Sequence, residues 1–173
     1  MAGNSLGKLF AAITACAVFF IYPTLDTAQQ MDNRSQTYVM NKTTRFVDSV
    51  KNCGYLNDEM MDRFGEELSA TGNLYGIRIV HDHKVYVPVY DDTDTFTGKT
   101  ELVYQDTYED DILDEIYNGS GKYEFTEGDF ISVTVVSKSL TIFQKLNNII
   151  NGVSSDSPAI LANYGGMIRD DEN

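Results

Sequence analysis

The chain has 173 residues, 42% hydrophobic and 23% charged, with two Cys and no Trp. That is enough for one domain with a real core, and the composition is neither disordered nor fibrous. A formal net charge of −13, from 13 basic and 26 acidic side chains, repels a phosphate backbone and excludes nucleic acid as a partner; two cysteines make no disulfide framework.

The charge is unevenly placed. Every acidic residue lies at or after Asp26, and before it the one charged side chain is Lys8. Residues 9–25 read LFAAITACAVFFIYPTL. As a helix this segment is about 25 Å long, slightly short of the ~30 Å hydrocarbon core of a bilayer. Leu6 and Gly7 extend it, and Lys8 can snorkel to the interface. Four readings compete. A cleaved signal needs small residues at the cleavage site, and a cut after Ala28 would put Asp26 in one of those places. A lipoprotein signal is suggested by Ile13-Thr14-Ala15-Cys16, but the apolar run before Cys16 is short and the residues after it are apolar. A buried core helix has no need of opposite charges at its two ends. An uncleaved single-pass anchor fits best, with Leu9, Phe10, Ile13, Val18, Phe19, Phe20, Ile21 and Leu25 facing the lipid bilayer. Lys8 before the span and acids after it orient the amino terminus to the cytoplasm and the remainder outside. Split there, the segment through Leu25 carries +1 and the rest −14, from 12 basic and 26 acidic residues. Pro23 should kink the span near its outer end.

Residues 27–52 contain neither Pro nor Gly. The stripe of Met31, Tyr38, Val39, Phe46, Val47 and Val50 at helical spacings extends the span into one rod of about 45 residues, ~65 Å, ended by Gly54. Met31, Val39, Phe46 and Val50 should pack this stalk against a head, so Phe46→Asp should detach the two. Asn57 caps a second amphipathic helix carrying Met60, Met61, Phe64 and Leu68, stopped by Gly72. Residues 75–90 (YGIRIVHDHKVYVPVY) alternate as two strands around a turn near Asp82, with Pro88 at an edge or strand end. Residues 91–99 read as a polar loop and 108–117 as a short helix broken by Asn118-Gly119. Entered through Glu127-Gly128-Asp129, residues 130–136 (FISVTVV) are the clearest strand. Residues 141–150 form a last amphipathic helix ended by Gly152. Residues 158–164 are a strand, Gly165-Gly166 a turn and 167–173 an acidic tail.

Chemistry is sparse. In an extended strand, His81-Asp82-His83 aims two imidazoles to one face, but a closed zinc site wants four ligands and there is no other His; polar turn residues explain the run more simply. Asp91, Asp92 and Asp94 open like a calcium loop and then depart from it at Phe96 and Val103. Glu109, Asp110 and Asp111 suit a helix first turn. Cys53 sits at a helix carboxyl end, which disfavours a thiolate. Asn33, Asn41 and Asn118 head glycan-acceptor triplets that chance also supplies. No nucleophile elbow, zinc-protease motif, P-loop or dinucleotide fingerprint is present. No catalytic, cofactor or metal residue is assigned.

The segments QTYVMNKTTRFVDSVKNCGYLNDEMMDRFGEELSATGNLYGIRI, EFTEGDFISVTV and NYGGMIRD resemble uncharacterised membrane-anchored proteins of clostridia-type bacteria, which are similar to the minor pilins, or pseudopilins, of Tad/Flp-type pilus systems. The likeness covers most of the chain. It departs from peptidase-processed pilins in having no Glu in the apolar helix. It implies an α+β, pilin-like protein: anchor 1–25, stalk 26–53 and a small extracellular head 54–173 with a mostly antiparallel sheet. It further implies a structural role in a surface pilus, secretion or conjugation apparatus, with other pilin-like subunits or assembly proteins as partners. The alternative is a cell-surface binding module using an aromatic-rich head (Tyr86, Tyr90, Tyr104, Tyr108, Tyr117, Tyr123).

Overall fold

With no Gly or Pro to break it between residues 27 and 52, the backbone stays helical for 51 residues, α1 (Gly3–Cys53). The computed structural model describes residues 3–91, 95–152, 157–158 and 160–169. Pro23 lies within α1 without ending it; it removes one backbone donor, and the Thr24 and Thr27 hydroxyls donate to the carbonyls of Phe20 and Pro23. α1 stops at Gly54: its N–H still donates to the Val50 carbonyl at 2.8 Å, and its φ of 71° turns the following chain off the helix axis.

α1 has two dissimilar halves. From Ser5 to Thr27 no side chain is buried. From Ala28 onward the helix enters the head, where Val39, Val47 and Val50 are fully buried and Phe46 nearly so. Met31 differs from its expected place. It stays 51% exposed, because at its level only the last helix approaches α1, in a groove shared with Ile142.

The rest is α+β. After β1 (Tyr55–Asn57), Asn57 accepts the Met60 N–H and starts α2 (Asp58–Ser69). Then come β2 (Tyr75–Tyr90), β3 (Phe96–Tyr108), α3 (Glu109–Asn118), β4 (Lys122–Glu124), β5 (Phe130–Ser137), α4 (Ile142–Asn151) and β6 (Leu161–Met167). β1 and β4 pair as a small ribbon, and the main sheet has the order β3-β2-β5-β6, all antiparallel. β5 alternates strictly, with Ile131, Val133 and Val135 buried. These side chains meet the α1 stripe, with Ile79 of β2, Phe64 and Leu68 of α2, Ile112 and Ile116 of α3, and Ala162 of β6. One helix lying across an antiparallel sheet therefore makes the core.

Several expectations change. There is no turn near Asp82: β2 is one 16-residue strand, and its polar residues mark a buried polar cluster. β3 takes up part of the expected 91–99 loop. β2 leaves β5 after Asp82 and pairs only with β3 out to Tyr90, so the β2–β3 ribbon projects alone; this open side accommodates Pro88. Gly165 and Gly166 lie inside β6. A Cβ at Gly165 would sit 2.8 Å from the Ile131 carbonyl oxygen, and one at Gly166 would meet the Lys51 side chain; close approach, and not a turn, requires them. Asp92 and Asp94 of the calcium-loop reading lie outside the described residues, as do residues 170–173 of the tail.

Candidate functional site

Two features carry chemical information: a buried polar cluster in the head and the uncovered apolar half of α1. The cluster centres on Asp129, 1% exposed, at the turn that enters β5. β2 points His81 and His83 to the same face, as alternation in a strand requires. His81 Nε2 lies 2.9 Å from Asp129 Oδ2 and His83 Nδ1 2.9 Å from Oδ1. Two backbone groups complete the set: Lys84 N–H donates to Oδ1 at 3.0 Å and Thr126 N–H to Oδ2 at 2.8 Å. Four donors thus fill the four lone-pair sites of one carboxylate.

Burial pushes the Asp129 carboxyl up, but the hydrogen bonds from His83, the Lys84 and Thr126 N–H groups and His81 outweigh it and hold the group at about 2. An ionised Asp129 requires a proton on each imidazole nitrogen facing it. The other nitrogen of His81, Nδ1, lies 2.8 Å from the Tyr123 hydroxyl. With the Nε2 proton directed to Asp129, the tautomer with a bare Nδ1 accepts there from the Tyr123 hydroxyl. Tyr123, His81 and Asp129 make a chain of contacts from β4 through β2 to the entry of β5. Burial, then Asp129 and Asp111, push the Tyr123 phenol up against the lowering effect of Thr107. On the outer face of β2, burial and the facing Asp106 raise the Asp82 carboxyl, with His81 acting against them.

The order hydroxyl–imidazole–carboxylate is that of a nucleophile relay; here His81 is 4% exposed and both its nitrogens are engaged within the head. A divalent cation would find three side-chain donor atoms, from His81, His83 and Asp129, within 4.8 Å of one another, one short of a closed zinc set. To use them it must displace two imidazole protons already bonded to Asp129. The arrangement is best suited to locking three segments of chain together.

Stability follows pH accordingly. The Asp129 carboxyl is depressed from its ordinary 3.8 to about 2, so its contribution, about 2 kcal/mol, is present above pH ~4 and lost as pH falls through ~2. Urea denaturation between pH 5 and pH 2 should show a falling midpoint that flattens in Asp129→Asn.

The expected anchor residues lie on the uncovered half of α1. Leu9, Phe10, Ile13, Val18, Phe19, Phe20 and Ile21 are all exposed, Phe19 at 76%, and Leu25 is half-buried. The most apolar 18-residue window of α1 has none of its residues buried, and by length and composition this helix can cross a membrane. No family model, curated protein or solved structure matches this chain.

Of the expected packing residues, the structure brings Val39, Phe46 and Val50 into the core and leaves Met31 at its margin. Sequence reasoning missed Asp129, whose histidine partners are 46 and 48 positions away; the one local signal was the His-x-His spacing on a strand. Both cysteines are free and exposed.

Proposed function

We propose that this chain is a membrane-anchored, pilin-like structural component of a bacterial surface pilus, secretion or conjugation apparatus, acting by assembly and without turnover. One observation carries the reading: a single helix is apolar and uncovered over its first half and is the spine of a folded α+β head over its second. The exposed large apolar side chains of this helix are costly in water, at about 25 cal/mol per Å² of apolar surface. Lipid removes that cost, and so do the matching helices of neighbouring subunits. In this reading Lys8 marks the cytoplasmic end of the span and the head lies outside.

The two cysteines supply the test of topology. In intact cells a membrane-impermeant maleimide should label Cys53 and leave Cys16 unmodified; labelling of Cys53 only after lysis would reverse the orientation. A photocrosslinker at Val18 should then yield adducts to pilin-like subunits or assembly proteins. Adducts to lipid alone would keep the anchor and overturn the assembly role.

The aromatic outer face of the β2–β3 ribbon favours a second reading, a surface binding module. Tyr86 and Tyr104 are more than half exposed, Tyr86 stands opposite Leu102, and Lys84 lies 5.4 Å from the Tyr86 ring. A monomeric protein that captures a defined ligand through these tyrosines would favour it.

A further inference from the structure

α4 is the one described helix of the head that buries none of its residues, although it is strongly amphipathic. Ile142, Phe143, Leu146, Ile149 and Ile150 line one side, with Gln144, Asn147, Asn148 and Asn151 opposite and Lys145 at the edge. Ile142 is 58% and Ile149 79% exposed. A surface helix normally turns such a stripe onto the core. This one is turned elsewhere, and its direction is fixed. Thr141, the residue that caps α4 in a capping box with Gln144, donates its hydroxyl to Asp32 of α1. From that pin α4 runs back along α1. Ile142 shares a groove with Pro23, Thr27 and Met31, whereas Leu146, Ile149 and Ile150 share the next with Phe20, Ile21 and Leu25. The carboxyl end of α4 therefore stands beside the last turns of the apolar span.

The charge distribution points the same way. Residues 130–155 contain no Asp or Glu, in a chain with 26 acids. The next longest acid-free stretch is residues 1–25, which contains the span. The charges within 130–155 are Lys138 and Lys145, both exposed. The α4 part of this acid-free stretch thus meets the end of the apolar span at one level of the fold. α4 itself carries Lys145 at the edge of its apolar stripe and no carboxylate, which suits the boundary between acyl chains and anionic headgroups.

We infer that α4 is a second membrane contact, lying in the outer-leaflet interface with Ile142, Ile149 and Ile150 among the acyl chains and Lys138 and Lys145 at headgroup level. This rests on the reading of α1 as an anchor. It seats the head on the lipid surface at two points, α1 and α4. It also separates the roles of the two faces of the head, since the β2–β3 ribbon is then left free for partners.

The chain has no Trp, so single tryptophans report cleanly. The full chain carrying Ile149→Trp, Ile150→Trp, Phe20→Trp or Tyr86→Trp is reconstituted in vesicles of phosphatidylcholine and phosphatidylglycerol, with or without brominated acyl chains. Emission from Ile149→Trp and Ile150→Trp should shift to the blue and be lost to bromine about as strongly as from Phe20→Trp, with Tyr86→Trp unaffected. Loss at Phe20→Trp without loss at Ile149→Trp and Ile150→Trp overturns the inference and leaves the anchor standing. No loss at any of them overturns both. A blue shift at Ile149→Trp without bromine quenching, growing with protein density, would mean that a second copy of the chain covers α4, and also overturns it.

Discussion

Phe46→Asp should unfold the whole head, not release it intact. Phe46 stacks on Phe64 of α2, with ring centroids 4.2 Å apart and an interplanar angle of 9°. It belongs to the same core cluster as Ile79, Ile131, Val133 and Ile112. Truncating a buried Phe costs about 3–5 kcal/mol in lost burial and cavity. A carboxylate in its place adds the cost of an unpaired buried charge. The sum reaches the about 5–15 kcal/mol that holds an ordinary domain together. The sequence pattern alone treats residues 26–53 as a stalk docked to a separate head, for which the same substitution would merely undock two sound parts. In the structure the stalk supplies Val39, Phe46, Val47 and Val50 to the one core, so there is no head without it. Limited proteolysis separates the outcomes. Unfolding predicts digestion of the head throughout, with loss of cooperative thermal unfolding. A protease-resistant fragment beginning near Gly54 would show instead that stalk and head are separable. Met40→Asp, at an exposed position of the same helix, should change stability by less than about 0.5 kcal/mol.

The helices were legible because each is written locally. The long run without Gly or Pro fixes α1. Asn57 and Gly54 bound α2 and α1 by their cap chemistry, and the 112/116 spacing gives α3 its buried side. Strands were legible only where one face is buried. β5 alternates because Ile131, Val133 and Val135 face α1 and their neighbours do not. β3 was missed for the opposite reason: in the projecting ribbon both faces meet solvent, so FTGKTELVYQDTY has no period to read. β1 and β4, three residues each, exist through their mutual pairing and carry no local signal. β2 was split at His81-Asp82-His83 because a polar triplet inside an apolar run normally marks a turn. Here it marks a strand whose inward residues meet a carboxylate supplied by a distant turn. In the same way Gly165-Gly166 reads as a turn until Phe130, Ile131 and Lys51 are placed against it.

That carboxylate makes the second large prediction. Asp129→Ala should destabilise the head by about 3–5 kcal/mol, the range seen when one partner of a buried charged network is removed. The loss comes less from the contacts deleted than from the donors left behind. Thr126 N–H, Lys84 N–H and His81 Nε2–H would each remain near a dry cavity, at about 1–3 kcal/mol for an orphaned group, partly offset as the 125–129 turn relaxes. Asp129→Asn keeps the shape but turns an NH₂ toward at least one N–H donor, so it should fall between the wild type and Asp129→Ala. His83→Ala should cost least. Its side chain is 40% exposed, water can take its place, and Asp129 keeps three donors. Denaturant midpoints should therefore fall in the order His83→Ala, Asp129→Asn, Asp129→Ala, with hydrogen exchange accelerated first at Thr126 and Lys84. Equal losses for His83→Ala and Asp129→Ala, reproduced in the wild type by a chelator, would instead identify the cluster as a metal centre. The graded order is expected because four N–H groups already saturate this carboxylate, and a saturated carboxylate stabilises by the donors it satisfies.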